Sequence, residues 1–173
     1  MVNENISKDG GVSRVASFWI SSFKERGIAF EHIGKTEVGN STRLNFPIKA
    51  RKLLEEKRSS YDLILAHEPC AWAFSSRREP VVAFSHGLEL NAWKAVRKYE
   101  RAYRARRYVG RLYISLIMKG LRESARVLLL SEQDRITVVN KGVSPKKAFV
   151  YRNGATPAFG SPKDDWKEES YYT

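Results

Sequence analysis

A chain of 173 residues, 42% hydrophobic and 29% charged, can bury the core of one domain and excludes fibrous or wholly disordered classes. Its net charge of +12 selects anionic partners: lipid headgroups, nucleic acid or phosphorylated small molecules. The single cysteine, Cys70, excludes an intrachain disulfide and a thiolate metal cluster and suits a reducing cytoplasm. Met1 to Gly11 has no apolar core of a secretory leader. The apolar run Tyr113–Met118 is far below the roughly 20 residues of a spanning helix, so the protein is expected to be soluble or to lie on a membrane without crossing it.

In chain order, Val2–Ile6 reads as a stub of a strand, and Lys8–Gly11 as the turn after it. Val12–Arg26 is a predicted helix, with Val12, Val15, Trp19 and Phe23 at helical spacing and Gly27 as its stop. Ile28–Ile33 alternates as a short strand does. A polar loop, Gly34–Arg43, leads to a helix over Leu44–Lys57 with Pro47 in its first turn, where a missing N–H is tolerated. The short apolar runs Asp62–Ala66, Pro80–Phe84, Arg126–Leu130 and Phe149–Tyr151 do not alternate, which is the pattern of buried parallel strands. Helical segments separate them. The fold class is therefore α/β: a Rossmann-like, doubly wound, mostly parallel sheet in one domain over residues 1–159, followed by a loose tail over 160–173.

Three features can carry chemistry. Gly10 and Gly11 precede a helix, where unpaired N–H groups and the dipole favour an anion; without further spacing the pair is equally a tight turn. His86 follows the second apolar run and precedes Gly87 and Glu89, and His67 with Glu68 ends the first run in the same way. Ligands of open α/β sheets bind outside the carboxyl ends of the strands, so an imidazole there can meet a sugar hydroxyl or a phosphate; strand-end capping is the alternative for His67 and Glu68. His32 reads as a surface residue.

The third feature is Trp93–Arg122, whose ten basic residues and one acidic residue carry +9 of the net charge. Trp93, Val96, Tyr99 and Tyr103 form one stripe flanked by Lys94, Arg97, Lys98, Arg101 and Arg104. Val109, Leu112, Tyr113, Leu116 and Ile117 form a second, read as core-facing. A basic helix with aromatic rings suits an anionic membrane surface, each basic residue contributing about 1 kcal/mol. No Asp-x-Asp pair, zinc spacing or nucleophile elbow is present. Cys70 reads as a buried thiol. RNA-recognition and zinc-finger patterns are missing too, which disfavours nucleic acid.

The ordered set Gly10-Gly11-Val12-Ser13-Arg14-Val15, Tyr61 to Glu68, Val81 to Glu89, Ala125 to Ser131 and Val150-Tyr151-Arg152-Asn153-Gly154 resembles the N-terminal domain of glycosyltransferase family 4, retaining enzymes with the two-domain GT-B fold. The resemblance implies the acceptor-side half of such an enzyme, trimmed at both ends and inactive alone. The donor, a nucleotide sugar acting as co-substrate, would be held only with a C-terminal domain. It implies Gly10 and Gly11 beside the donor diphosphate and His86 as the catalytic residue facing the transferred sugar. Arg14, His67, Glu68, Gly87 and Glu89 would line the acceptor rim, and Asn153 and Gly154 the interdomain hinge, where Ala155-Thr156 depart from the family's usual Val-Asp. No cofactor or metal is expected. The acceptor would be a glycan, a lipid-linked sugar or a cell-surface polysaccharide precursor. Trp93, Lys94, Arg97, Lys98, Arg101, Arg104 and Arg107 would face an anionic membrane, placing the protein on the inner face of the cell membrane. The competing reading is a non-catalytic basic module for anionic lipid or nucleic acid.

Overall fold

A computed structural model describes residues 1–2, 11–57, 61–75, 77–99 and 107–151, without the side chains of 11–14, 96–99 and 107. The expected turn at 8–10, the rest of the first strand and the tail from 160 lie outside the described residues.

Helix α1 (Gly11–Glu25) ends as its sequence dictates. Gly27 adopts φ +64°, and the Gly27 and Ile28 amides donate to the Lys24 and Phe23 carbonyls at 3.1 and 2.9 Å. That double bond closes the helix with a left-handed residue, a conformation glycine takes without penalty. It also takes residues from the next segment. The expected strand over Ile28–Ile33 is not formed: Ile28 is spent on the helix cap, Phe30 packs back on Phe23 with centroids 5.9 Å apart, and only Ile33 bridges Val2. With Val2 opposite Ile33 in parallel register, Ile28 to Phe30 have no strand beside them among the described residues.

Part of the expected polar loop is the short helix α2 (Lys35–Val38). Helix α3 (Phe46–Glu56) carries Pro47 in its first turn and buries Phe46, Ala50 and Leu54. The four apolar runs become β1 (Ile64–His67), β2 (Val81–Phe84), β3 (Arg126–Leu129) and β4 (Ala148–Val150). They pair in parallel and in chain order, β1-β2-β3-β4. Val2 extends the sheet beyond β1: its amide donates to Leu65 O at 2.8 Å, and the His67 amide donates to its carbonyl at 2.9 Å. With Ile33 outside Val2, the sheet reads Ile33, Val2, β1, β2, β3, β4. Strand order therefore reverses between Val2 and β1.

Neighbouring strand residues face opposite layers. Val81 and Ala83 point into the main core with Phe46, Phe74, Ile117, Leu121, Val127 and Leu129. Phe84 points the other way, under Trp19 of α1 (centroids 4.8 Å apart). A 3-10 helix, Glu68–Ala73, joins β1 to β2 and is buried on most sides, Cys70 included.

Helices α4 (Glu89–Tyr99) and α5 (Arg107–Glu123) occupy the basic stretch. Ile114, Ile117, Met118 and Leu121 make the buried face of α5, whereas Val109 and Leu112 are exposed. The second apolar stripe thus faces the core only in part, and the core face lies one turn further along. Gly120 decides that rotation: a Cβ there would stand 2.8 Å from Trp72 Cα, so this helix meets the 3-10 helix backbone to backbone. Helix α6 (Glu132–Val139) starts at Ser131, whose hydroxyl accepts from the Asp134 amide at 3.1 Å.

Candidate functional site

Two strand ends build the site. His67 closes β1 opposite Phe84, the last residue of β2. The loop Ser85–Leu88 carries His86 back beside His67, with ring centroids 5.3 Å apart. Phe84 lies between and beneath them, 5.4 Å from His67 and 5.3 Å edge-on from His86. Trp19 and Tyr151 continue this aromatic floor, 5.7 Å apart. The Tyr151 hydroxyl donates to Ser85 O at 3.3 Å, and burial pushes it up to about 12. The pair of histidines therefore stands where strand order reverses, the place open parallel sheets offer a ligand.

Burial keeps both imidazoles neutral. Desolvation, then the His86 ring and Arg43, lower His67 to about 3. Desolvation alone lowers His86. Nε2 of His86 is buried without a hydrogen-bond partner among the described residues. An unmade buried hydrogen bond costs about 1–3 kcal/mol, so this nitrogen is an acceptor or donor in want of a group. A neutral imidazole can offer either.

The loop is held from below. Gly87, at φ +123°, gives its N–H to Ser85 Oγ at 3.2 Å. Ser85 Oγ in turn donates to Glu68 Oε2 at 2.6 Å. Glu68 Oε1 accepts the amide of Glu89, the first residue of α4, at 3.2 Å. Glu68 is fully buried, so it supports the loop instead of lining a rim. Glu89 lies 3.8 Å from Arg43, whose side chain is 62% exposed. Asn91 ties α4 to α6 through Asp134 at 3.1 Å.

The structure thus joins His67, Glu68, His86, Gly87 and Glu89. Gly11 opens α1; the Arg14 side chain and Gly10, Asn153 and Gly154 lie outside the described residues. Of the basic set, Lys94 is exposed, but Trp93 is half-buried, packed toward the core with its indole over Gly110 of α5. Arg97, Lys98 and Arg107 are helical with their side chains outside the described residues, as are Arg101 and Arg104 entirely. His32, read as a surface residue, is half-buried, 3.9 Å from Glu37. Nothing in the sequence marks Arg43, Tyr151 or Trp19 as part of a site. Ser85 alone has a local signal, a hydroxyl two residues before a glycine, as in a side-chain turn. Among the described residues no group of three or more His, Cys, Asp or Glu could hold a metal ion.

A parallel sheet with helical crossovers and a reversal of strand order defines a Rossmann-like domain. The family model for glycosyltransferase family 4 matches residues 10–159. The chain belongs to that family and is a glycosyltransferase-like module. No curated protein matches it, and no solved structure does.

Proposed function

We propose that the chain is the acceptor-side domain of a retaining glycosyltransferase, in which His86 meets the sugar transferred from a nucleotide-sugar donor. The observation that carries this reading is the buried His86 Nε2, without a hydrogen-bond partner among the described residues, beside His67 at the sheet's reversal point. A neutral ring nitrogen there can hydrogen-bond a sugar hydroxyl without adding a positive charge that would trap the departing diphosphate. His67 and the Arg43–Glu89 pair, in which the Arg43 side chain is exposed, lie close enough to His86 to support an acceptor beside it. The electrostatic groups that stabilise the leaving diphosphate belong to a donor-binding domain, and without them transfer is slow. The domain on its own should turn over no nucleotide sugar.

The test is His86→Ala in a protein that joins this domain to a donor-binding domain. Transfer should fall on the order of 100-fold, the loss typical of one well-placed hydrogen-bonding group, with the domain still folded by circular dichroism. Wild-type transfer in that variant would remove His86 from the site.

The basic surface favours an acceptor carried on an anionic membrane, a glycan or lipid-linked sugar. What supports this is the first two turns of α5, where Tyr108, Val109 and Leu112 are exposed next to the exposed Arg111. Apolar side chains flanked by cations are what a headgroup layer accepts.

A further inference from the structure

We propose that Glu68 is the positioning residue of this site: its carboxyl group ties the loop from Ser85 to Glu89 to the end of β1 and so fixes where the His86 imidazole stands. The consequence for catalysis rests on the reading of His86 given above, but the tie itself does not.

The tie has three strands. Glu68 takes the Ser85 hydroxyl on one oxygen and the Glu89 amide on the other, at 2.6 and 3.2 Å. Ser85 passes the restraint to Gly87 at 3.2 Å. His86 sits between two anchored residues, and Gly87 holds a backbone angle no other residue adopts freely. These bonds converge on one carboxyl group that has no access to solvent.

The surroundings set its proton. Glu89 faces it from α4 and Asp134 from α6. Arg43 reaches Glu89 and not Glu68. From α3, Arg51 binds the far end of the 3-10 helix, at Ala73 O, 3.1 Å. Where α5 crosses it, the contact is Gly120 on Trp72 and Ala71, without charge. His67 and His86 beside it are kept neutral. No lysine or arginine pairs with Glu68 among the described residues. Burial therefore dominates and raises it to about 8, helped by Glu89 and Asp134 and opposed by its two hydrogen bonds. Burial thus favours the carboxylic acid over the carboxylate, and acid and hydroxyl can each donate along the same short contact. Ionisation puts a further negative charge beside Glu89 and Asp134 and tightens the bonds the carboxylate accepts from Ser85 and Glu89, so the loop amides and the His86 ring sense it.

The test is a pH titration of the isotope-labelled whole chain by NMR, from about pH 6 to 10, a window that spans the value near 8. In the wild type, the Gly87 and Glu89 amide signals and the His86 ring signals should move together with a midpoint near 8. Glu68→Gln keeps both hydrogen bonds and cannot ionise. Its loop signals should match the wild type at the acid end and stay there to the alkaline end. Glu68→Ala should displace them at every pH, and if it does not fold the Gln variant decides alone. An unchanged midpoint in Glu68→Gln, or a loop that does not titrate in the wild type, overturns the proposal. Neither outcome depends on transfer: full activity of a His86→Ala enzyme would end the catalytic reading and leave the tie standing.

Discussion

His67 and Glu68 are adjacent, and burial bends the pH dependence of folding in opposite directions at the two. For His67 the folded value, about 3, lies below the ordinary 6.5, so its contribution is complete above 6.5 and is lost as pH falls toward 3. For Glu68 the folded value, about 8, lies above the ordinary 4.5, so its contribution is complete below 4.5 and is lost as pH rises toward 8. Between about 4.5 and 6.5 the two slopes oppose each other. Urea unfolding should therefore show a plateau there, with stability falling on both sides. Glu68→Gln should abolish the alkaline fall and keep the acid one. Arg43 can be tested on the same scale: Arg43→Ala removes a positive charge that lowers His67, so the His67 ring should titrate higher than in the wild type. An unchanged titration would show that the guanidinium is screened by Glu89. The histidines were legible because each ends an apolar run, which places it at a strand's carboxyl end. The roles of Arg43 and Ser85 were not, because they come from Glu89 and Glu68, residues that only the folded sheet brings near.

At the scale of elements, α5 shows how far periodicity reaches. The helix itself was legible, but the stripe read through Val109, Leu112, Tyr113, Leu116 and Ile117 competes with the face that is buried, Ile114, Ile117, Met118 and Leu121. Hydrophobicity alone does not choose between them. Gly120 does, because only a bare backbone lets α5 close on Trp72. Gly120→Val should force the two backbones apart and destabilise the fold by at least about 1–3 kcal/mol, read as a lower urea midpoint. A wild-type midpoint would mean that the crossing is loose. The same kind of stripe points the Trp93 ring outward, and Gly110 draws it inward. The cap of α6 is a smaller test of local chemistry. Ser131→Ala removes the acceptor for the Asp134 amide and should cost about 0.5–2 kcal/mol, with no change in the His86 ring signals.

For the molecule as a whole, charge and topology point to different neighbours. No helix among the described residues is long and apolar enough to cross a membrane. The net charge of +12 acts on a surface that carries it. The chain should co-sediment with vesicles containing anionic lipid and not with neutral ones, and the difference should shrink as salt shortens the screening length to about 3 Å at 1 M. Equal binding to both vesicle types would leave the basic stretch as a solvated face. The parallel sheet was legible from four short apolar runs with helices between them. Its edge beyond Val2 was not, because Ile28–Ile33 alternates as a strand does and yet has no neighbour over most of its length among the described residues.

Val2 stands at the seam of this sheet, bonded to Leu65 and His67, which lie far along the chain. Val2 therefore waits for β1, far along the chain, before it has a place. Such distant pairings slow folding, because the intervening loop must close before the contact is gained. The histidine that ends β1 is locked by the same bond. In a growing chain the seam closes once β1 is made, and the candidate site only after the loop that carries His86.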